Sequence, residues 1–333
     1  MKLIIQIPCY NEEDTLPLTL SELPRHVPGF EEVEWLVIND GSIDKTVKVA
    51  NENGVDHVIS YTSNRGLAHA FRIGLQACLD RGADVIVHTD ADNQYAASSI
   101  PDLVLPVLRD EADLVVGDRQ VWKHQEFGWS KKFLQDLGSK VVSHLSRISV
   151  PDVTSGFRAF SREAALTLNV LSRYTYTHET IIQAGMQNLK VVSVPVKVNP
   201  ATRPSRLFRS QTAYVLRSAA TILRVYTMYR ALRVLLTIAT PIFLAGFGLG
   251  IRFLYFYMTG NGSGHIQSLI LCAVLLNLSF FLALIGILAD LIGCNRRILE
   301  DLLLRVRLNG SIITIDKTSS RISDKKKTIK YYK

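Results

Sequence analysis

Two uninterrupted apolar runs limit what this chain can fold into. Val234–Ile251 spans 18 residues and Ile266–Ala289 spans 24, and neither carries a charged side chain. Crossing a hydrocarbon core of ~30 Å takes roughly 20 apolar residues in a helix, so both runs are long enough. The polar link Thr259-Gly-Asn-Gly-Ser-Gly-His265 joins them, which predicts a hairpin with spans at about 234–257 and 266–290. Tyr255-Phe256-Tyr257 suits an interfacial aromatic belt. A pair of buried core helices is the competing reading, and the flanking arginines weigh against it. Arg217, Arg224, Arg230 and Arg233 precede the first span, and Arg296, Arg297, Arg305 and Arg307 follow the second. Basic flanks on both sides predict that both termini are cytoplasmic.

Charge divides the chain in the same way. Residues 1–200 hold 19 Lys+Arg against 25 Asp+Glu, whereas residues 201–333 hold 19 against 5. A basic half that contains membrane spans points to anionic lipid rather than nucleic acid. Residues 201–232 mix apolar side chains with arginines, as expected of an amphipathic juxtamembrane segment, and residues 294–333 form a basic cytoplasmic tail. Asp290 falls level with Arg233 in such a hairpin, which predicts a pair there. The start, Met1–Ile7, is too short for a signal-peptide core. The four cysteines show no metal or redox spacing and are expected to be free thiols.

The front 200 residues alternate strand-like and helical patterns. Strands are predicted at Leu3–Ile7, Glu34–Ile38, His57–Tyr61, Asp84–His88, Asp113–Val116 and Val191–Val196, with helices between them. Such alternation predicts a largely parallel sheet covered on both faces. Three polar loops follow three of the strands: Pro8-Cys9-Tyr10-Asn11-Glu12-Glu13, Asn39-Asp40-Gly41-Ser42 and Asp90-Ala91-Asp92-Asn93-Gln94. Ligands in open α/β sheets bind at strand carboxyl ends, so the loops are expected to share one crevice. Tyr10 can pack on a nucleobase and Asp40 can accept from base or sugar donors; a tight turn before a helix is the alternative for Asp40. Asp90, Asp92 and Gln94 are hard oxygen donors suited to Mg²⁺ or Mn²⁺, against the alternative of a surface turn.

These motifs, with Thr154-Ser155-Gly156-Phe157-Arg158 following in order, resemble those of family 2 glycosyltransferases. The Asp-Ala-Asp-Asn-Gln form together with the hairpin is similar to the polyprenyl-phosphate branch, the group of dolichol-phosphate mannose synthase and bacterial polyprenyl-phosphate glucosyltransferases. The resemblance covers roughly residues 1–293. It implies a GT-A nucleotide-diphosphosugar-binding α/β domain over 1–200, amphipathic segments, and a transmembrane hairpin over 233–293. It implies that Pro8, Tyr10, Glu12 and Asp40 line the nucleoside site. Asp90, Asp92 and Gln94 would hold a divalent cation and the diphosphate, and Arg119 would face the sugar or phosphate. Ser155 and Arg158 would lie on the acceptor side, with Asp92, Asp152 and Arg158 as catalytic groups. Two departures stand out. Asn39-Asp40 replaces the usual pair of acidic residues, and Arg203-Pro204-Ser205-Arg206 differs from the mannose-synthase version, which leans the donor toward UDP-sugars over GDP-sugars.

The implied reaction is an inverting transfer of a hexosyl group from a nucleotide sugar to polyprenyl phosphate, undecaprenyl or dolichyl. Such an acceptor, with a second pKa near ~6, is largely dianionic and hardly needs a base. Asp152 is the family-style base, with a turn residue or an orienting group for Arg158 as alternatives. Cations for the acceptor phosphate are expected from Arg158, Arg203 and Arg206, since the guanidinium fork suits phosphate. A homo-oligomer such as a tetramer is compatible with the bacterial branch. The competing functions are a polysaccharide synthase of the same fold, whose usual Gln-x-x-Arg-Trp motif and additional spans are missing from the sequence, and a non-catalytic membrane scaffold.

Overall fold

The computed structural model describes residues 1–120, 129–172, 175–200, 211–260, 266–319 and 329–332. It divides into two compact units, Met1–Ile222 with Leu304–Lys333, and Leu223–Leu303.

In the first unit, β1 (Lys2–Cys9), β2 (Glu32–Asn39), β3 (His57–Tyr61), β4 (Val85–His88), β5 (Leu114–Asp118), β6 (Arg158–Ser161), β7 (Val191–Pro195) and β8 (Ile329–Tyr332) form one sheet. Its order is β7-β5-β6-β4-β1-β2-β3-β8. Only β6 runs against the rest, antiparallel to both β4 and β5. The predicted strands are all present. Sequence periodicity did not show β6, which begins on an arginine, or β8, which lies in the stretch expected to be a basic tail. The helices are α1 (Leu16–Glu22), α2 (Thr46–Glu52), α3 (Leu67–Asp80), α4 (Ile100–Leu108), α5 (Trp129–Ser146), α6 (Arg162–Thr167) and α7 (Thr177–Met186).

Alternation along the strands sorts the core into two layers. Leu3, Ile5 and Ile7 of β1 join Val85, Val87, Leu16, Leu20, Leu103 and Val104 in one apolar cluster. Burying a side chain of this size stabilises the fold by about 1.5–3 kcal/mol, which offsets the cost of ordering the chain. The other face of β1 and β4 carries Gln6 and His88, register partners that are fully buried. His88 packs edge-on against Phe71 of α3 and Tyr176, and burial, aided by the charge of Arg158, pushes its pKa down to about 3. Its imidazole is therefore neutral. On the same unit, Arg307 Nη1 donates to the Leu166 carbonyl at the end of α6 (2.6 Å), satisfying an orphan acceptor of that helix.

The second unit, Leu223–Leu303, is a helical hairpin that holds most of α8 (Gln211–Met258) and α9 (Ile266–Ser319). Each has a stretch long and apolar enough to cross a membrane. Phe243, Leu244, Phe247, Leu254, Phe280 and Phe281 are exposed, as expected of side chains that face lipid. The α8 path breaks at Arg230 (φ −138°, ψ 42°). Beside the break, the Arg296 guanidinium lies 3.7 Å from the centroid of Tyr229. Glu300 accepts from the Tyr229 hydroxyl at 3.3 Å and approaches Arg296 Nε at 3.5 Å. The expected Arg233–Asp290 pair does not form. Gly286 meets Leu232 and Leu235, so these residues face α9. Arg233, one residue on from Leu232, is turned about 100° away from that interface.

Candidate active site

The parallel strands β1, β2, β3, β4 and β5 all end at the same edge of the sheet, and β6 starts there. The predicted loops therefore converge. Cys9 and Asn39 are register partners, so the loops after β1 and β2 emerge side by side. They are stitched together: Asn11 N–H donates to Ser42 Oγ (2.9 Å), Ile43 N–H to Asn11 Oδ1 (2.9 Å) and Glu12 N–H to Thr46 Oγ1 (2.9 Å). Pro8 lies within β1 opposite Ile38, Tyr10 is exposed, and Glu12 is buried and accepts from the Thr15 hydroxyl at 2.7 Å.

Asp40 is 3% exposed. Its Oδ1 accepts from Arg65 N–H (2.9 Å) and its Oδ2 from Gly66 N–H (2.8 Å). Gly41 adopts φ +73°, and a Cβ there would come within 2.5–2.8 Å of the Ser63–Asn64 backbone. Asp40 thus anchors the Ser63–Gly66 loop at the start of α3. Apolar periodicity does not mark this loop; the Asn64-Arg65-Gly66 turn chemistry after β3 is the signal for it. A carboxylate has about four acceptor positions, so Asp40 retains capacity toward a ligand.

The third loop leaves β4 beside these. Thr19 Oγ1 donates to the Ala91 carbonyl (2.9 Å), Asn93 adopts φ +56° with its amide on Glu22 (3.0 Å), and Asn199 N–H donates to the Gln94 carbonyl (2.8 Å). Asp92 Oδ1 accepts from Gln94 N–H at 3.2 Å, an Asx-turn contact. These contacts fix the backbone of Asp90–Gln94. Asp90 lies against Gly156: a Cβ on that glycine would come 3.1 Å from Asp90 Oδ2 and 3.4 Å from Oδ1.

Arg119, just past β5, donates from Nε to Asp152 Oδ2 (2.6 Å) and from Nη2 to Oδ1 (2.9 Å), and Nη2 also reaches Thr154 Oγ1 (2.7 Å). Burial pushes the Asp152 carboxyl up, but the charge and hydrogen bonds of Arg119, with the Thr154 hydroxyl, hold it below the usual carboxylate range. A carboxylate held in this way is a weak proton acceptor. The geometry makes Asp152 a partner that orients Arg119, and the base role suggested by resemblance gains no support from it.

Arg158 needs correction more plainly. It is fully buried in β6, donating to the carbonyls of Ser155 (2.9 Å) and Val153 (2.7 Å) and to Thr180 Oγ1 (2.5 Å). Burial lowers its pKa to about 10, so it remains cationic at neutral pH. Three of its donors thus serve the 153–155 backbone and α7, a structural role. Ser155 is likewise fully buried. Glu179 accepts from Leu171 N–H and Ser172 N–H, which is a structural role. Arg203 and Arg206 lie outside the described residues. Tyr95 and Tyr176, which no sequence motif marks, are buried around Gly156.

Fold and loop cluster together define a GT-A-like α/β glycosyltransferase domain followed by two long apolar helices. The family model described as glycosyl transferase family 2 matches residues 4–168. Undecaprenyl-phosphate mannosyltransferase of Micrococcus luteus is 31% identical over 206 residues, covering 59% of this chain and 83% of that protein. A UDP-N-acetylglucosamine–dolichyl-phosphate N-acetylglucosaminyltransferase of Methanococcus voltae is 31% identical over 217 residues, covering 57% and 83%. Polyprenol monophosphomannose synthase of Mycolicibacterium smegmatis is 29% identical over 204 residues, covering 58% and 76%. Among solved structures, glucosyl-3-phosphoglycerate synthase from Mycobacterium tuberculosis with Mn²⁺, UDP-glucose and phosphoglyceric acid has a TM-score of 0.54 at 21% identity, covering 68% of this chain and 79% of that one. The chain belongs to glycosyl transferase family 2 and is a glycosyltransferase.

Proposed function

We propose that this enzyme transfers a hexosyl group from a nucleotide sugar, preferentially a UDP-sugar, to a polyprenyl phosphate at the cytoplasmic face of a membrane. The carrying observation is the single sheet edge that gathers the Asp90–Gln94 loop, the Asp40 loop and the Arg119–Asp152 pair, in a chain that also holds a membrane-length hairpin. Relatives whose names specify polyprenyl- or dolichyl-phosphate acceptors support the lipid acceptor, and the basic flanks of the hairpin support the cytoplasmic face. Those names differ in the sugar, mannose in two and N-acetylglucosamine in the third, which keeps both hexoses and N-acetylhexosamines in the donor class.

The donor set fits a divalent cation. Asp90, Asp92 and Gln94 supply two carboxylates and an amide oxygen, and Mg²⁺ or Mn²⁺ sites of this class are completed by substrate phosphate oxygens. The Gly156 cradle leaves room for the Asp90 carboxylate. When bound, the cation neutralises negative charge on the departing diphosphate. An acceptor phosphate oxygen attacks the anomeric carbon as the bond from that carbon to the diphosphate oxygen breaks, inverting the configuration and releasing nucleoside diphosphate. No proton need move, because the acceptor is largely dianionic. Asp40, Tyr10, Pro8 and Glu12 border the nucleoside end. Arg119, aimed by Asp152, supplies positive charge at the sugar–phosphate end, where charge develops.

Purified protein in detergent, given UDP-glucose, UDP-N-acetylglucosamine or GDP-mannose with undecaprenyl phosphate and Mn²⁺ or Mg²⁺, tests this reading. The expected result is an organic-extractable sugar lipid that requires the cation. Folded protein that yields no lipid-linked sugar from any of these donors would overturn it.

A further inference from the structure

We propose that Tyr95 and Tyr176 are positioning residues that clamp Gly156 from its two sides and so hold the Asp90 carboxylate in place for the cation and diphosphate. The inference rests on the functional reading above. Tyr95 Oη accepts from Gly156 N–H at 2.9 Å, and Tyr176 Oη donates to the Gly156 carbonyl at 3.3 Å. Both polar groups of one glycine are thereby fixed by side chains from different elements, the loop after Asp90–Gln94 and the residue before α7. The Cα of the same glycine faces Asp90: an added Cβ would come 3.0 Å from Tyr176 Oη and 3.1 Å from Asp90 Oδ2.

The tyrosine rings are themselves packed against aromatic neighbours. Tyr176 stacks on Phe71 with centroids 3.9 Å apart and planes 6° apart, and meets His88 edge-on at 4.9 Å. Tyr95 stacks on Phe157 at 5.1 Å. Phe157 directly follows Gly156 and is fully buried, so the clamp is anchored in the core. A packed ring that ends in a hydroxyl transmits core rigidity to one backbone position, and that position forms the wall behind Asp90. Partners that hydrogen-bond a metal ligand typically change metal affinity or activity by about 10–100-fold when removed, and the clamp acts one contact further back, at the low end of that range.

The test measures Mn²⁺ binding to full-length protein in detergent, by the electron paramagnetic resonance signal of free Mn²⁺ in the presence of UDP, alongside thermal melting. Tyr176→Phe and Tyr95→Phe keep the rings and their stacking and delete only the hydroxyls. The expected result is Mn²⁺ affinity weaker by about tenfold in each, with KM for the lipid acceptor unchanged. Gly156→Ala is expected to weaken Mn²⁺ further, because its methyl group intrudes on Asp90. A lower melting temperature with wild-type Mn²⁺ affinity would assign the tyrosines a merely structural role and overturn the proposal. If Tyr176→Phe fails to fold, Tyr95→Phe decides, since it leaves the Phe71 and His88 packing intact. Wild-type protein that forms lipid-linked sugar yet binds no Mn²⁺ would overturn the cation site and this inference while leaving the transferase reading standing. Protein that binds Mn²⁺ through the clamp but makes no lipid product would support the inference and overturn the lipid acceptor instead.

Discussion

Arg119 and Asp152 meet through two parallel hydrogen bonds, Nε to Oδ2 at 2.6 Å and Nη2 to Oδ1 at 2.9 Å, with Asp152 only 4% exposed. The paired fork fixes the direction of the guanidinium as well as its position. The residue that resemblance offers as a proton acceptor is thereby committed to a cation.

Substitution separates the two roles. Asp152→Asn leaves Arg119 without its counter-charge, and breaking a buried pair costs about 3–5 kcal/mol. The expected result is a lower melting temperature and a lower kcat, with the acidic limb of the pH–rate profile unmoved. Disappearance of that limb in the variant would instead identify Asp152 as the base. Arg119→Lys is expected not to restore activity, because an ammonium cannot reproduce the two-bond geometry.

Asp92→Ala is expected to reduce turnover by about 100-fold or more, the scale seen when one stabiliser of developing charge is removed. Excess Mn²⁺ should rescue it poorly. Initial rates across a Mn²⁺ titration check this, and wild-type turnover in the variant would remove Asp92 from the site.

Arg158→Leu is expected to act through folding. Three buried acceptors lose their donors, at about 1–3 kcal/mol each. Melting temperature should fall sharply, while protein that remains folded at low temperature keeps its KM for lipid phosphate. A large rise in that KM without loss of stability would return Arg158 to the acceptor site.

Stability should also fall in acid through Glu34. Burial raises its carboxyl pKa, but hydrogen bonds from His57 and Lys2 more than reverse this and bring it from an ordinary 4.5 to about 2. A depressed carboxylate stabilises the fold above its unfolded pKa, and that contribution fades as pH drops from about 4.5 toward 2. Glu34→Gln should therefore lower the melting temperature at pH 7, by an amount corresponding to about 2–3 kcal/mol, and matter little near pH 2. Equal effects at both pH values would refute the linkage.

In the hairpin, Tyr229→Leu and Arg296→Gln should be coupled. Melting of the two single variants and the double variant in detergent is expected to give an interaction energy of about 0.5–2 kcal/mol. Strict additivity would mean that the 3.7 Å contact contributes nothing.

Local pattern alone determined much of this molecule. The charge-free runs Val234–Ile251 and Ile266–Ala289 could form little else but long apolar helices, because length and absence of charge act without reference to partners. The six predicted strands were legible for the same reason, as was the convergence of the Asp40 and Asp90 loops, since parallel strands place their following loops on one edge. Tertiary structure decided which polar residues face the crevice. β6 was invisible because its four residues, Arg158-Ala159-Phe160-Ser161, start and end on polar side chains and form no apolar run. Arg158 reads as a phosphate ligand in sequence, yet antiparallel pairing with β4 places it in the core, where carbonyls take its donors. Asp152 became the partner of Arg119 through contact across 33 positions of chain. Tyr95 and Tyr176 gained their roles through one shared glycine. A residue type states what chemistry a side chain can perform; burial and partners, which depend on distant parts of the chain, determine whether that chemistry is turned toward a substrate or toward the protein itself.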